Sequence, residues 1–181
     1  MKKFFAVCLS LCLAIALCAV PAFADGDVAQ VESGNTYPTL QQAIDDVRGS
    51  GKVTLLKDTA EDITIASGKT IELVLNAKLT NGSGHTIVVK NGGNLTISGS
   101  GTVDNITHQR AAIDNEIGGV VVLNGGTFTR SAETGASPTQ GGTNTFYTIR
   151  NHGIMTINSG VTVNQNGHFS SLVENGFYNG A

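Results

Sequence analysis

Val88-Val89-Lys90-Asn91-Gly92-Gly93-Asn94-Leu95-Thr96-Ile97, followed by Gly101-Thr102-Val103, is the stretch whose reading decides the fold. It holds short runs of β-branched and apolar residues broken by an Asn-Gly-Gly turn signal. The same alternation returns downstream. Ala112-Ile113-Asp114-Asn115 leads to Gly119-Val120-Val121-Val122-Leu123 and Gly126-Thr127-Phe128, and Thr148-Ile149-Arg150-Asn151 leads to Gly153-Ile154-Met155-Thr156-Ile157 and Gly160-Val161-Thr162-Val163. A last unit opens with Leu172-Val173-Glu174-Asn175-Gly176.

The asparagines set the register. Asn91 to Asn115 is 24 residues, Asn115 to Asn151 is 36, and Asn151 to Asn175 is 24. The longer middle interval fits an insertion in the polar stretch Ser131 to Thr145. Each unit carries three short strand runs and cannot bury its own apolar face, so units must stack. Three runs per period predict a three-sided coil in which strands one period apart pair in parallel, about 4.8 Å apart. The expected fold is all-β: a right-handed parallel β-helix of about 24 residues per turn, its hand following the usual parallel crossover. Five to six turns predict a rod roughly 25–30 Å long. Ile113, Val121, Phe128, Ile149 and Ile157 are expected to point inward. Asn91, Asn115, Asn151 and Asn175 are expected to stack into a ladder of side-chain amides.

Upstream of the repeats the period changes. Leu40, Ala43, Ile44 and Val47 fall at i, i+3, i+4 and i+7, which predicts one short amphipathic helix. Thr39 and Gln42 have capping-box spacing at its start, and Gly49 stands where the chain leaves it. Asp45, Asp46 and Arg48 then face water. The region 37–49 is expected to cover the N-terminal end of the core, whose exposed strand edges would otherwise invite aggregation. Lys52 to Leu56, Ile63 to Ile65 and Thr70 to Leu75 read as further short strands.

The first residues point to export. Lys2 and Lys3 precede an apolar run from Phe4 to Val20, and Ala22 and Ala24 give the small-x-small pattern of a signal peptidase site, so cleavage is predicted after Ala24. Cys8, Cys12 and Cys18 all lie in that run, leaving residues 25–181 without a thiol. Removing residues 1–24 takes away two lysines and leaves nine basic against fourteen acidic residues, a net charge of −5. That balance, without a basic stripe, argues against nucleic acid as a partner. No second long apolar run follows, so no membrane contact is expected once the leader is removed. The one remaining domain, 25–181, shows its clearest repeats at 85–181. Nothing comparable to the capping helix closes its C-terminal end, which suggests further coils or an anchoring domain downstream.

Tyr37-Pro38-Thr39-Leu40-Gln41-Gln42-Ala43-Ile44, Val53-Thr54-Leu55-Leu56-Lys57-Asp58 and Gly68-Lys69-Thr70-Ile71-Glu72-Leu73-Val74-Leu75-Asn76 together resemble the cap and first turns of pectin lyase-like β-helix domains. Such domains occur in large bacterial surface proteins often described as adhesins. The resemblance spans about residues 28–180. It implies a stalk or binding surface, secreted or held at the cell surface, that engages glycan or protein ligands.

The same fold also hosts polysaccharide lyases and glycoside hydrolases, so chemistry has to be sought residue by residue. Asp104 and Asp114, with His108 and Arg110 between them, form the densest polar cluster. Glycoside hydrolysis needs two carboxyls on one face, and a lyase could use an arginine base there. The alternative reading is therefore a carbohydrate-active enzyme using Asp104, Arg110 and Asp114. A polar turn between strands explains the same residues without catalysis. His152, in Asn151-His152-Gly153, lacks the neighbouring carboxylates that a polygalacturonase site would need. His85 and His168 have no partner at metal-ligand spacing, and no cofactor or metal is expected. For binding, Phe146 and Tyr147, at the base of the 131–145 insertion, are candidates to stack on a sugar ring. Rows of Thr, Asn and Ser on a flat face would suit an extended polymer.

Overall fold

The computed structural model describes residues 26–132, 146–164 and 171–176. The export signal at 1–24, most of the 131–145 insertion and His168 lie outside the described residues. The strands are β1 (Ala29–Val31), β2 (Thr36–Tyr37), β3 (Ser50–Leu55), β4 (Thr59–Ala60), β5 (Ile63–Ile65), β6 (Thr70–Leu75), β7 (Lys78–Thr80), β8 (Ile87–Val89) and β9 (Asn94–Gly99). They continue as β10 (Thr102–Asp104), β11 (Ile113–Asn115), β12 (Val120–Leu123), β13 (Thr127–Thr129), β14 (Ile149–Asn151), β15 (Ile154–Ile157), β16 (Thr162–Val163) and β17 (Val173–Asn175). Helix α1 spans Leu40–Asp46.

The strands form a parallel β-solenoid with three sides. Sheet A runs β15-β12-β9-β6-β3 and is extended by β1 and β2, sheet B runs β16-β13-β10-β7-β4, and sheet C runs β17-β14-β11-β8-β5. Five parallel strands per sheet give about four turns with layers about 24 residues apart. That is fewer than the five to six expected. The shortfall arises because the residues before Ser50 form the antiparallel strands β1 and β2 and helix α1 instead of a coil. Later steps also lengthen: Ser50 pairs with Thr70, Thr70 with Asn94, Asn94 with Val120 and Val120 with Ile154. Each residue's counterpart in the next layer is fixed by inward-outward alternation, since a slip of one would turn the apolar face outward.

The interior is a set of apolar columns. Ile63, Ile87, Ile113 and Ile149 stack in sheet C, Leu73, Ile97 and Leu123 in sheet A, and Leu79, Val103 and Phe128 in sheet B; all are fully buried. Burying each such side chain contributes about 1.5–3 kcal/mol. Val121 is also buried, but Ile157 is 44% exposed. Its register position faces inward opposite Leu123. Because β15 is the last strand of sheet A, no described layer covers it.

A second column of sheet C changes character partway. Ile65 and Val89 hold it in the first layers, then Asn115, Asn151 and Asn175. Asn115 donates through Nδ2 to Oδ1 of Asn151 at 2.7 Å, and Asn151 does the same to Asn175 at 2.6 Å. Asn91 does not belong to this row. Val89 is the true counterpart of Asn115, and Asn91 sits in the turn after β8, with Oδ1 close against Gly118. The turn 105–112 is two residues longer than the turn 81–86, so the real step is 26 and the 24-residue count is a coincidence. With Val89 below it, the buried Oδ1 of Asn115 has no hydrogen-bond partner among the described residues.

The start of the rod is sealed. Strand β1 pairs antiparallel with both β3 and β2. Helix α1 buries Leu40, Ala43, Ile44 and Val47 and leaves Asp45, Asp46 and Arg48 exposed. Thr39 Oγ1 accepts from Gln42 N, and Glu61 accepts from the Leu40 and Gln41 amides at 2.8 and 3.0 Å. At the other end Lys69 Nζ donates to the carbonyls of Ile44, Asp45 and Val47, as expected for a cation at a helix C-terminus. Gln41 accepts from Thr64 N and donates to Thr64 O, occupying backbone groups on the outer edge of β5.

Candidate functional site

The polar side chains concentrate at the corner where sheet B passes into sheet C. Strand β10 ends on Asp104, the turn 105–112 crosses the corner, and β11 presents Asp114 on its outer side between inward Ile113 and Asn115. Asn105 pins the turn, its Nδ2 donating to the carbonyls of Gly84 at 2.8 Å and Ala111 at 3.0 Å. Asn81 likewise donates to Gly84 O and Thr107 Oγ1. Both asparagines are buried and serve the turns.

Asp104 is fully buried, with both oxygens engaged. Lys78 Nζ lies 2.7 Å from Oδ2, Ser131 N donates to Oδ1 at 2.9 Å, and Ser131 Oγ donates to Oδ2 at 2.5 Å. Burial alone raises its pKa, but the Lys78 and Ser131 hydrogen bonds together outweigh that and hold the carboxyl below its ordinary value. Asp114 is held separately. Arg150, one layer up, grips it as a fork, Nε to Oδ1 at 2.7 Å and Nη2 to Oδ2 at 2.5 Å. This pairing raises the arginine's own pKa above the ordinary value despite partial burial.

His85 completes this side of the corner. Its Nδ1 accepts from Ala111 N at 2.7 Å, and its Nε2 lies 3.5 Å from Asp114 Oδ2. Burial lowers its pKa, with Arg150 and Arg110 acting in the same direction against Asp114. A neutral ring accepting at Nδ1 carries its hydrogen on Nε2, so the contact with Asp114 is a hydrogen-bond approach rather than an ion pair.

Arg110 does not join the two aspartates. It is exposed, donates through Nη1 to Gln109 O at 3.0 Å, and pairs with neither carboxylate among the described residues. Asp104, Arg110 and Asp114 are therefore near in sequence but occupied apart. Acid–base work on a glycosidic bond needs a carboxyl with an oxygen open to substrate or water. The bound oxygens of Asp104 and Asp114 do not offer one in this arrangement. Among the described residues no group of three or more His, Cys, Asp or Glu side chains could hold a metal ion, and no helix is long and apolar enough to cross a membrane.

Phe146 and Tyr147 lie over the outer face of sheet C. Phe146 has the guanidinium carbons of Arg150 and Arg130 at 5.7 and 5.9 Å from its ring centre, and Tyr147 packs against it at 5.4 Å. Arg130, wholly buried, donates to Phe146 O. Beneath them runs a column that sequence inspection missed. Asp114, Arg150 and Glu174 occupy the same outward position in successive layers, one residue before each ladder asparagine. Beside it Lys90 pairs with Glu116, and His152 Nε2 lies 2.9 Å from Glu174 Oε2. Opposite charges alternate up the column because parallel layers place equivalent side chains directly above one another. That sign change at the residue before Asn115, Asn151 and Asn175 is the signal that could have revealed it.

One opening adjoins these elements and another lies on sheet A. The first, of about 400 Å³, is lined by Tyr147, Ser171, Val173, Glu174 and Asn175. The other is a groove of about 530 Å³ across the outer face of sheet A, where Ser50, Thr70, Thr96 and Ser98 surround the Lys52–Glu72 ion pair. No protein-family model, curated protein or solved structure matches the chain.

Proposed function

We propose that this chain is an exported, non-catalytic module of the bacterial cell surface, a structural stalk or an adhesin for glycan or protein ligands. The observation that carries the reading is the condition of Asp104 and Asp114. Each carboxylate, the best acid–base candidate in the sequence, already has both oxygens bound by Lys78 and Ser131 or by Arg150. Side chains arranged in this way brace a corner of the coil.

Three further features support the reading. The layered coil is a rigid support of the kind on which loops carry recognition. The order of Lys2, the apolar run and Ala24 supports export. The cap residues from Tyr37 to Ile44 support kinship with pectin lyase-like domains of surface proteins. The test is a screen of the purified protein on pectic and host glycans and on immobilised host proteins, scoring both product release and retention. The reading expects retention without product release. Turnover abolished by Asp114→Ala would replace it with the carbohydrate-active enzyme built on Asp104, Arg110 and Asp114.

A further inference from the structure

We infer that His85 and the turn 105–112 form an acid-sensitive latch, in which protonation of the imidazole detaches the Ala111 amide and opens the corner beneath Phe146. The inference goes beyond the adhesive reading and does not depend on it.

The latch is fastened on both sides of Ala111, which is wholly buried. The Ala111 carbonyl accepts from Thr86 N at 3.1 Å and from Asn105 Nδ2 at 3.0 Å, and neither donor titrates. The Ala111 amide donates to His85 Nδ1 at 2.7 Å. An imidazole nitrogen accepts only while it carries no hydrogen, and both nitrogens of the imidazolium are donors. Protonation therefore sets one N–H against another, and the ring has to turn away. The Ala111 amide is then buried without an acceptor, which is costly until water reaches it. Water reaches it when the turn lifts.

The turn is disposed to lift. Gln109 has a φ of 58°, and among the described residues it is the one non-glycine in the left-handed region. The closed turn therefore holds backbone strain. Ile106 is 48% exposed, so little packing restrains the turn from outside.

The surroundings give the imidazolium no better partner. Asp114 Oδ2 lies 3.5 Å from Nε2, but both Asp114 oxygens are already gripped by Arg150. Asp62, in the layer below, accepts from the amides of Gly82, Ser83 and Gly84. Asp104, where the turn begins, is held by Lys78 and Ser131. The turn itself contributes only His108 and Arg110, both exposed. Burial holds the His85 ring neutral, and the charges of Arg150 and Arg110 add to this against Asp114. On the outer side the Phe146 ring lies 5.9 Å from the His85 ring, with Arg130 and Arg150 already against it. A third cation at this point repels both arginines, so Phe146 moves with the latch.

Closure favours the neutral ring, so opening increases as pH falls below the ordinary histidine value of about 6.5. The test is NMR on the whole protein from about pH 7.5 to about pH 5, following the His85 ring, the Phe146 ring and amide protection factors. Ala111 protection is expected to fall by up to about tenfold per pH unit below about pH 6.5, while the amides of β12 keep theirs. The Phe146 resonances should shift with the same midpoint. In His85→Asn the amide oxygen stands near the place of Nδ1 and accepts from Ala111 at every pH, so protection should not vary with pH. Three results would each overturn the latch: Ala111 protection constant through the His85 titration, an equal fall in β12, or an equal fall in a folded His85→Asn. A His85 ring that stays neutral down to the pH of global unfolding overturns it as well, and the wild-type titration decides this even if the variant does not fold.

Discussion

The side-chain amide of Asn115 donates to Oδ1 of Asn151 at 2.7 Å although 36 residues separate them in the chain. Such a bond requires both residues to occupy the same angular position in consecutive layers, and backbone pairing of Asn115 with Asn151 places them there. Asn151 is the middle rung, bonded above and below. Asn151→Ala removes both bonds and is expected to cost about 1–3 kcal/mol in denaturant unfolding, because it orphans neighbours in a buried column. Asn91→Ala, outside the ladder and exposed, should stay within about 0.5 kcal/mol.

Close stacking also fixes where glycine is needed. A Cβ on Gly153 would lie 2.3 Å from Gly119 O and 2.7 Å from Glu116 O, both backbone atoms of the layer below. Gly68, in contrast, has a left-handed φ of 78° and open space around it. Gly68→Ala should cost about 1–2 kcal/mol of backbone strain. Gly153→Ala should cost more, about 3 kcal/mol, because two layers must part to admit the methyl group. Thermal melts of the two variants check the order.

Acid should destabilise the fold in two stages. The pKa of His85 is lowered in the folded protein, so its neutral form is the one that folding favours. Its contribution is complete above the unfolded value of about 6.5 and is lost as pH falls from there. Asp104 also has a lowered pKa, so its contribution is present above about 3.9 and is lost as pH falls through its folded value. His85→Asn should flatten the upper stage and Asp104→Asn the lower one. Unfolding free energy measured against pH separates the two.

The capping helix makes a local prediction. Gln41 occupies the Thr64 amide and carbonyl on the edge of β5. Gln41→Ala should speed hydrogen exchange at the Thr64 amide while amides in β11 keep their protection, since only the local opening is made easier. The exposed edge should also raise the tendency to self-associate at high concentration.

Much of this architecture is legible in the sequence because stacking repeats simple demands. Thr39, Leu40, Ala43 and Ile44 satisfy a helix period, and Ile113, Ile149 and Phe128 fall at inward positions. Legibility fails where spacing alone has to choose the register. Asn91 stands 24 residues before Asn115, yet the longer turn at 105–112 moves the true counterpart to Val89. The hairpin of β1 and β2 escapes notice because its strands are too short for a period to show. At the corner, Asp104 and Asp114 stand out as acidic residues, but their cations come from other layers. Lys78 lies 26 positions before Asp104, and Arg150 lies 36 after Asp114. Glu174 is hidden in the same way, since it gains meaning only above Arg150.

The layered register itself is most directly tested by distances between spin labels along one outward row of sheet A. Lys52, Glu72, Thr96, Val122 and Thr156 occupy that row in successive layers. Labels on cysteines at 52 and 96, 52 and 122, and 52 and 156, with Cys8, Cys12 and Cys18 replaced, should report separations that rise by about 4.8 Å per layer. These correspond to about 10, 14 and 19 Å between backbone positions for two, three and four layers. Separations that fail to increase in that order would contradict parallel stacking of these segments.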